Sequence, residues 1–318
     1  MKLEMSTKKC LLCYQPLQSE TDFHESCSMK FFGSRIPPKM DYSLHQMDEL
    51  AKNIIERSVA VPGVQAKLSL SLLKESTGNL ENRLTVVGAL GGNFIFKPPS
   101  SYFIEMPENE HLTMLMAASF GIRVVPASLI RLASGELAYI TKRVDRSPKG
   151  EKIHMLDMFQ ITEAFDKYKS SVEKIGKAIE SYSDQALLDK IFFFELVVFS
   201  FLTGNNDMHL KNFSMIISNI GWTLAPAYDL LNVNIINPED SEEMALTLCG
   251  KKRKLKREHF DALAKNLGLT QNQTNSVYKR IQKNKPKAIE LINVSFLSDE
   301  MKAAYHDLLE LRYSQMEL

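Results

Sequence analysis

The sequence carries almost no net charge: 39 Lys and Arg residues stand against 38 Asp and Glu over 318 positions, a formal balance of +1. With neither sign in excess, no global field draws the chain to nucleic acid or to a membrane surface. Cysteine is scarce, and its four copies do not make the disulfide framework of a small secreted domain. Long apolar runs are missing. The most apolar stretch, Ile191 to Leu202, is too short to span a bilayer and contains Glu195. The opening residues, MKLEMSTKKC, hold no apolar signal core, so a cytoplasmic protein without membrane contact is expected. Internal repeats and low-complexity segments are absent. What is left is a chain 44% apolar and 24% charged, which can bury a sizeable core in one or two domains.

Three of the four cysteines fall in the first 27 residues, as Cys10-Leu11-Leu12-Cys13 and His24-Glu25-Ser26-Cys27. Two pairs of soft ligands, joined through turn residues, can wrap one tetrahedral ion, and Zn²⁺ prefers Cys and His. Four protein ligands leave no open coordination position, so such a site is structural rather than catalytic. The same residues also read as ordinary reduced thiols beside a histidine. Residues 33–42, with Pro37-Pro38, read as a linker.

Residues 43–57 have an amphipathic helical pattern, with Leu44, Met47, Leu50, Ala51 and Ile54 on one side. Leu68, Leu70 and Leu72 then alternate with Ser69 and Ser71, as in a half-buried strand, and 84–87 and 94–97 are further strands. Lys97 ends its strand before Pro98-Pro99, which cannot continue a ladder. Such a lysine can hold nucleotide phosphates, or simply snorkel at a sheet edge. Glu108-Asn109-Glu110 opens a helix to about Phe120. Glu110 there either complements the macrodipole or orients Lys97. Residues 123–132 and 137–141 form a hairpin around Ser134-Gly135, and 142–149 read as a charged hinge.

From 151 onward the pattern is mostly helical. His154, Asp157 and Gln160 share one side of an expected helix, Asp184 reads as an N-cap, and 187–202 is apolar almost all round, hence buried. That helix delivers the chain into Gly204 to Asp229. Here 214–218 and 222–225 read as a short hairpin with Asp207 and Asn212 just before it and Asp229 just after it. Three oxygen-bearing side chains thus converge at one mouth, the layout with which kinases hold a catalytic base and Mg²⁺ ligands. Taken alone, the same loop also describes an ordinary turn. Beyond it, 245–248 reads as a strand and the basic run 251–257 as a solvated face. Helices follow at 259–267, 272–282, 287–292 and 300–317.

Several of these blocks, in order, resemble the HipA family of bacterial serine/threonine kinases. They are ValProGlyValGlnAlaLys at 61–67, PheIlePheLys at 94–97, GluAsnGlu at 108–110 and LysArgValAspArg at 142–146. They continue with His154, Asp157 and Gln160, GlyAsnAsnAspMetHisLeuLysAsnPheSer at 204–214, AlaProAlaTyrAspLeu at 225–230 and LeuCysGlyLysLysArg at 248–253. The resemblance implies an α+β, two-lobed fold akin to protein and phosphatidylinositol kinases. Residues 43–145 would be the β-rich lobe, 146–318 the helical lobe, and 1–42 a zinc-knuckle segment. It implies ATP and Mg²⁺ as cofactors, a toxin–antitoxin role, and a protein substrate such as an aminoacyl-tRNA synthetase. Its partners would be a helix-turn-helix antitoxin like HipB, with DNA reached only through it, and a small HipS-like protein.

By the same resemblance Asp207 is the catalytic aspartate, Asn212 and Asp229 ligate Mg²⁺, and Lys97, supported by Glu110, contacts the ATP phosphates. Val61, Gly63, Gln65 and Lys67 belong to the phosphate loop, and Lys142, Arg143, Val144 and Asp145 to the adenine-side hinge. His209 and Lys211 lie near the phosphates. The short segment before the phosphate loop matches HipT-type kinases, which are regulated by autophosphorylation of a loop serine. That position is Ala60 here, so self-inactivation through this loop is not expected. A kinase-fold enzyme acting on a small molecule or lipid, and a catalytically silent binding module, are the alternatives.

Overall fold

The computed structural model describes residues 8–18, 20–47, 49–50, 67–74, 82–87, 91–100, 102–147 and 149–318. The chain divides into two compact units. One comprises Met1–His111 and Pro126–Arg143, the other Leu112–Val125 and Val144–Leu318.

The first unit is built on a five-stranded antiparallel sheet in the order β2-β1-β3-β5-β4. Its strands are β1 (Leu68–Lys74), β2 (Asn82–Val87), β3 (Phe94–Lys97), β4 (Ala127–Arg131) and β5 (Leu137–Lys142). Leu68 and Leu70 are buried as the sequence pattern requires, but Ser69 between them is buried too, so this end of β1 is covered on both faces. Gly92, at φ 77°, lies so close to the carbonyl of Leu70 that a Cβ there would collide with it, so the entry to β3 requires glycine. Phe94 and Phe96 on β3 are buried, and Phe94 meets the rings of Phe31 and Phe32 from the helix Glu25–Phe32. The expected linker at 33–42 is part of this unit. Met40 is buried, and the Tyr42 carbonyl accepts the Ala133 N–H. Residues 44–47 and 49–50 are helical; the rest of the helix expected at 43–57 lies outside the described residues.

The second unit holds a three-stranded antiparallel sheet, β6 (Met155–Asp157), β7 (Ser214–Ser218) and β8 (Gly221–Leu224), packed with helices. The helix expected to begin at His154 starts instead as β6. Asp157 then caps the short helix Met158–Ile161, exchanging hydrogen bonds with Gln160 in a capping box. Pairing with β7 wins because it satisfies backbone groups that a helix start would leave open.

The apolar helix is Ala186–Leu202, buried from Phe192 onward, with Leu187 and Leu188 exposed in its first turn. Its N-cap is Gln185, not Asp184. The Asp184 carboxylate is spent on the Trp222 N–H at 2.6 Å, tying the helix entry to β8. Asp189, fully buried, accepts from Ser183 Oγ at 2.7 Å, Gln185 Nε2 at 3.0 Å, the Leu224 N–H at 2.7 Å and Arg123 at 3.1 Å. One carboxylate thus fixes the helix to the hairpin.

Two further expectations change. Residues 245–248 form no strand; Leu248 and Lys251 pair across a tight turn in which Cys249 and Gly250 both have positive φ. The two helices expected at 272–282 and 287–292 are one, Gln271–Val294, with Pro286 inside it. Pro286 removes one hydrogen bond, at a cost of about 3 kcal/mol, but the continuous helix keeps Val277, Tyr278, Ile281, Ala288, Leu291 and Ile292 buried along one face. In the basic run, Lys252 pairs with Glu242 and Arg257 with Asp261.

Asp189→Ala would strand the buried Leu224 N–H and remove the acceptor shared by Ser183, Gln185 and Arg123. Chemical denaturation should show the variant less stable by about 3 kcal/mol; a loss below about 1 kcal/mol would contradict the anchoring role.

Candidate active site

In the first unit, Lys97 closes β3 and is 4% exposed. Its ammonium meets both carboxylate oxygens of Glu110, at 2.7 and 2.8 Å. Glu110 is 1% exposed and sits in the first turns of the helix Met106–Ser119. The strand places the lysine, the helix places the glutamate, and burial makes the pair mutually obligatory. The Lys97 ammonium also lies 5.3 Å from the centre of the Tyr139 ring on β5.

Lys142 ends β5 and Arg143 follows it. Lys142 Nζ lies 5.6 Å from the centre of the Phe31 ring, and burial lowers its pKa. The Arg143 guanidinium donates to the Gly91 carbonyl at 3.3 Å, and its N–H donates to the Asn93 carbonyl at 2.9 Å. Val144 and Asp145 form a turn that opens the second unit, where the Asp145 carbonyl accepts from the Ile153 N–H. Lys67 is exposed immediately before β1. Val61, Gly63 and Gln65, with Ala60, lie outside the described residues.

In the second unit the chain leaves its buried helix at Gly204, whose φ is 67° and whose missing Cβ would collide with Leu308 and Asn232. The next residues are pinned by amides. Asn205 Nδ2 donates to the Asp229 carbonyl at 3.3 Å, so one side chain links the loop of Asp207 to that of Asp229. Asn206 Nδ2 donates to Asp240 and to the Glu242 carbonyl. Asn212, in a single 3₁₀ turn Leu210–Asn212, donates from Nδ2 to the Asp207 carbonyl at 2.8 Å. This bond commits its amide nitrogen and leaves Oδ1 as the atom that can ligate a hard cation. Asp229 has φ 57°, a left-handed conformation that a non-glycine residue adopts at a cost.

Sequence reasoning missed Tyr168. Its hydroxyl donates to Asp207 Oδ1 at 2.8 Å, and its ring meets His209 edge-on at 5.1 Å. Burial, with the charge of Asp207, raises the Tyr168 pKa, so the phenol stays a proton donor. Burial lowers the pKa of His209, and among the described residues its buried Nδ1 has no hydrogen-bond partner. Lys211 lies over the Phe159 ring at 4.9 Å, and its carbonyl accepts from the Tyr228 hydroxyl at 3.0 Å. Burial raises the Tyr228 pKa. Nothing local to residues 165–170 marks Tyr168; the signal is tertiary.

Cys10, Cys13, His24 and Cys27 also come together, with all four ligand atoms within 4.8 Å of one another. Burial pushes the Cys27 thiol up to about 12.

The Lys97–Glu110 pair sets a measurable expectation. Lys97→Met removes the cation that faces both oxygens of this buried carboxylate and should cost about 3–5 kcal/mol of stability. Adding Glu110→Leu should recover most of that loss in a urea titration, because both charges are then gone; no recovery would show that the pair is not coupled.

The family model described as HipA-like C-terminal domain matches residues 59–289. The "Putative kinase Y4dM" of Sinorhizobium fredii is 32% identical over 70% of this chain and 56% of its own length. A "Putative kinase" of Haemophilus influenzae is 28% identical over 56% of this chain and 54% of its own length. The chain therefore spans about half the length of these curated relatives. Among solved structures, HipA of Shewanella oneidensis, in complex with HipB and operator DNA, aligns with a TM-score of 0.68 at 22% identity, over 84% of this chain and 71% of that one. The Helicobacter pylori proinflammatory kinase CtkA aligns with a TM-score of 0.51 at 16% identity, over 73% of this chain and 90% of that one. The same α+β kinase fold underlies all three structures, and with the family match running through most of its length the chain belongs to the HipA-like C-terminal domain family.

Proposed function

We propose that the chain is a Mg²⁺·ATP-dependent kinase that phosphorylates serine or threonine on a protein, as the toxin of a toxin–antitoxin system in the cytoplasm. The observation that carries this reading is the buried two-oxygen pairing of Lys97 with Glu110, which a kinase uses to hold a lysine against nucleotide phosphates. The relatives named as kinases support it. In functional terms 43–145 and 146–318 are the two kinase lobes.

Each residue then has a task. Lys97 binds the phosphates, with Glu110 fixing its direction, and the phosphate loop Val61, Gly63, Gln65 and Lys67 covers them. Lys142 to Asp145 meet the adenine side. Asn212 and Asp229 hold Mg²⁺; bound there, the ion neutralises phosphate charge as it develops. Asp207 orients the attacking hydroxyl and takes its proton, and Tyr168, through its hydrogen bond to Oδ1, keeps that carboxylate in one rotamer. His209 and Lys211 add contacts near the phosphates. Positioning and charge neutralisation, rather than covalent chemistry, carry phosphoryl transfer.

The solved HipA complex contains HipB and operator DNA, and by that likeness a HipB-like helix-turn-helix antitoxin is the partner here, with a small HipS-like protein as a second. An aminoacyl-tRNA synthetase is the target class that the family resemblance suggests. Ala60 leaves the loop without the usual serine, so control falls to the partners.

With labelled ATP, Mg²⁺ and a bacterial lysate, the wild-type chain should label a protein band that Asp207→Ala labels at least about 100-fold more slowly. Equal labelling by both would refute the assignment. Mg²⁺·ATP should also raise the melting temperature of the wild-type chain, since a ligand bound only by the native state stabilises it.

A further inference from the structure

The cysteine cluster has the metrics of a metal site. In a tetrahedron with Zn–S of about 2.3 Å and Zn–N of about 2.0 Å, neighbouring sulfur and nitrogen atoms stand about 3.5 Å apart. His24 Nδ1 lies 3.5 Å from Cys13 Sγ and 3.8 Å from Cys27 Sγ. The other ring nitrogen, Nε2, is 3.0 Å from the Pro16 carbonyl oxygen. That oxygen can only accept, so the proton sits on Nε2 and the Nδ1 lone pair faces the sulfurs. Such outer hydrogen bonds fix the tautomer of metal-bound histidines. All four cysteines are reduced thiols. The Asp22 carboxylate pairs with Arg131 on β4 and with Lys8.

The cluster also has a mechanical connection. Tyr14 follows the ligand Cys13, has φ 63°, and is 1% exposed. Its hydroxyl is 2.9 Å from Nδ1 of His111, with the two rings edge-on at 5.2 Å. His111 immediately follows Glu110 in the helix and is likewise 1% exposed. The carbonyl of Leu11, between the ligands Cys10 and Cys13, accepts from the N–H of Leu129 on β4 at 3.2 Å. A loop whose described residues between 8 and 24 form no helix or strand therefore braces both the helix of Glu110 and the edge strand. A loop of that kind needs a cross-link to hold a shape, since so short a segment cannot build its own core.

We propose that Cys10, Cys13, His24 and Cys27 hold one Zn²⁺ ion, and that the loop closed by this ion positions Glu110 through the Tyr14–His111 hydrogen bond. The zinc is structural, because protein atoms fill all four positions. Tyr14 and His111 are positioning residues: they touch neither nucleotide nor substrate, and they act by holding the turn of helix from which Glu110 reaches Lys97. The consequence for ATP rests on the kinase reading above; the metal and the brace do not. Loss of the ion, by chelation or by oxidation of the thiols, would free the loop and weaken the hold on Lys97.

The test uses the full chain, made without a polyhistidine tag in zinc-supplemented medium. Atomic absorption should find one zinc per chain in the wild type and in Tyr14→Phe, and less than about a tenth of that in Cys13→Ser. Cys249→Ser, which removes the one cysteine outside the cluster, should keep its zinc. A wild type without zinc, or Cys13→Ser with full zinc, overturns the site. Hydrogen exchange then reads the brace. Amides around 110–116 should exchange at least about tenfold faster in Tyr14→Phe and in chelator-treated wild type; unchanged exchange in both overturns the coupling. Because Tyr14→Phe keeps the metal and loses one hydroxyl, it decides the matter even if Cys13→Ser fails to fold. In the kinase assay Tyr14→Phe should raise KM for ATP about fivefold with kcat within about twofold, a split that simple loss of folded protein would not give. A wild type that binds zinc and shows the exchange effect but transfers no phosphate would refute the kinase reading and leave the zinc brace standing.

Discussion

A carboxylate buried away from water is tolerable only when donors surround it, and each unit of this protein is organised around one. In the first unit it is Glu110, met at both oxygens by Lys97. In the second it is Asp189, which gathers four donors: Ser183 and Gln185 from the loop before its helix, the Leu224 N–H from a strand, and Arg123. Desolvating either charge without its partners would cost several kcal/mol, so every competing arrangement that separates them is penalised. The two differ in what they hold. Asp189 joins structural elements, whereas Glu110 holds a second charge, and a lysine kept in one place by burial is useful for meeting phosphate.

The loop from Gly204 to Asp229 shows a second form of the same economy. Asn205, Asn206 and Asn212 each direct an amide nitrogen to a named acceptor. Each bond removes a rotamer choice from a residue beside Asp207 or Asp229. The loop is mounted on a buried helix, and its path is set by Gly204, where only glycine fits. Asp229 accepts a left-handed backbone as part of that path. Sites that must place charge to a fraction of an ångström are built in this way, with the order supplied beforehand by the fold.

Much of this was legible in the residues. The strand at Phe94–Lys97, the helix bearing Glu110, the apolar helix before Gly204 and the hairpin after Asn212 all follow from periodicity and turn residues, and the family membership followed from the order of blocks. Misreadings occurred where local signals were outbid. Asp184 has the composition of a helix cap, but the Trp222 N–H lies closer to its carboxylate. Pro286 reads as a break, but an apolar face on both sides of it keeps the helix whole. His154 to Gln160 reads as a helix, until a neighbouring strand offers the first residues a ladder.

The sequence by itself determined the chemical inventory: which side chains can bear charge, bind metal or turn the chain, and at what spacing. It therefore placed Lys97 at the end of a strand, Glu110 at the start of a helix, and Cys10, Cys13, His24 and Cys27 in two closely spaced pairs. Only the tertiary structure decided who else stands next to them. Tyr168 reaches Asp207 from 39 residues away, and Tyr14 reaches His111 from 97 away. Neither contact leaves a local trace, because a hydrogen bond between distant segments depends on how apolar faces pack, and that packing is a property of the whole core rather than of any stretch of chain.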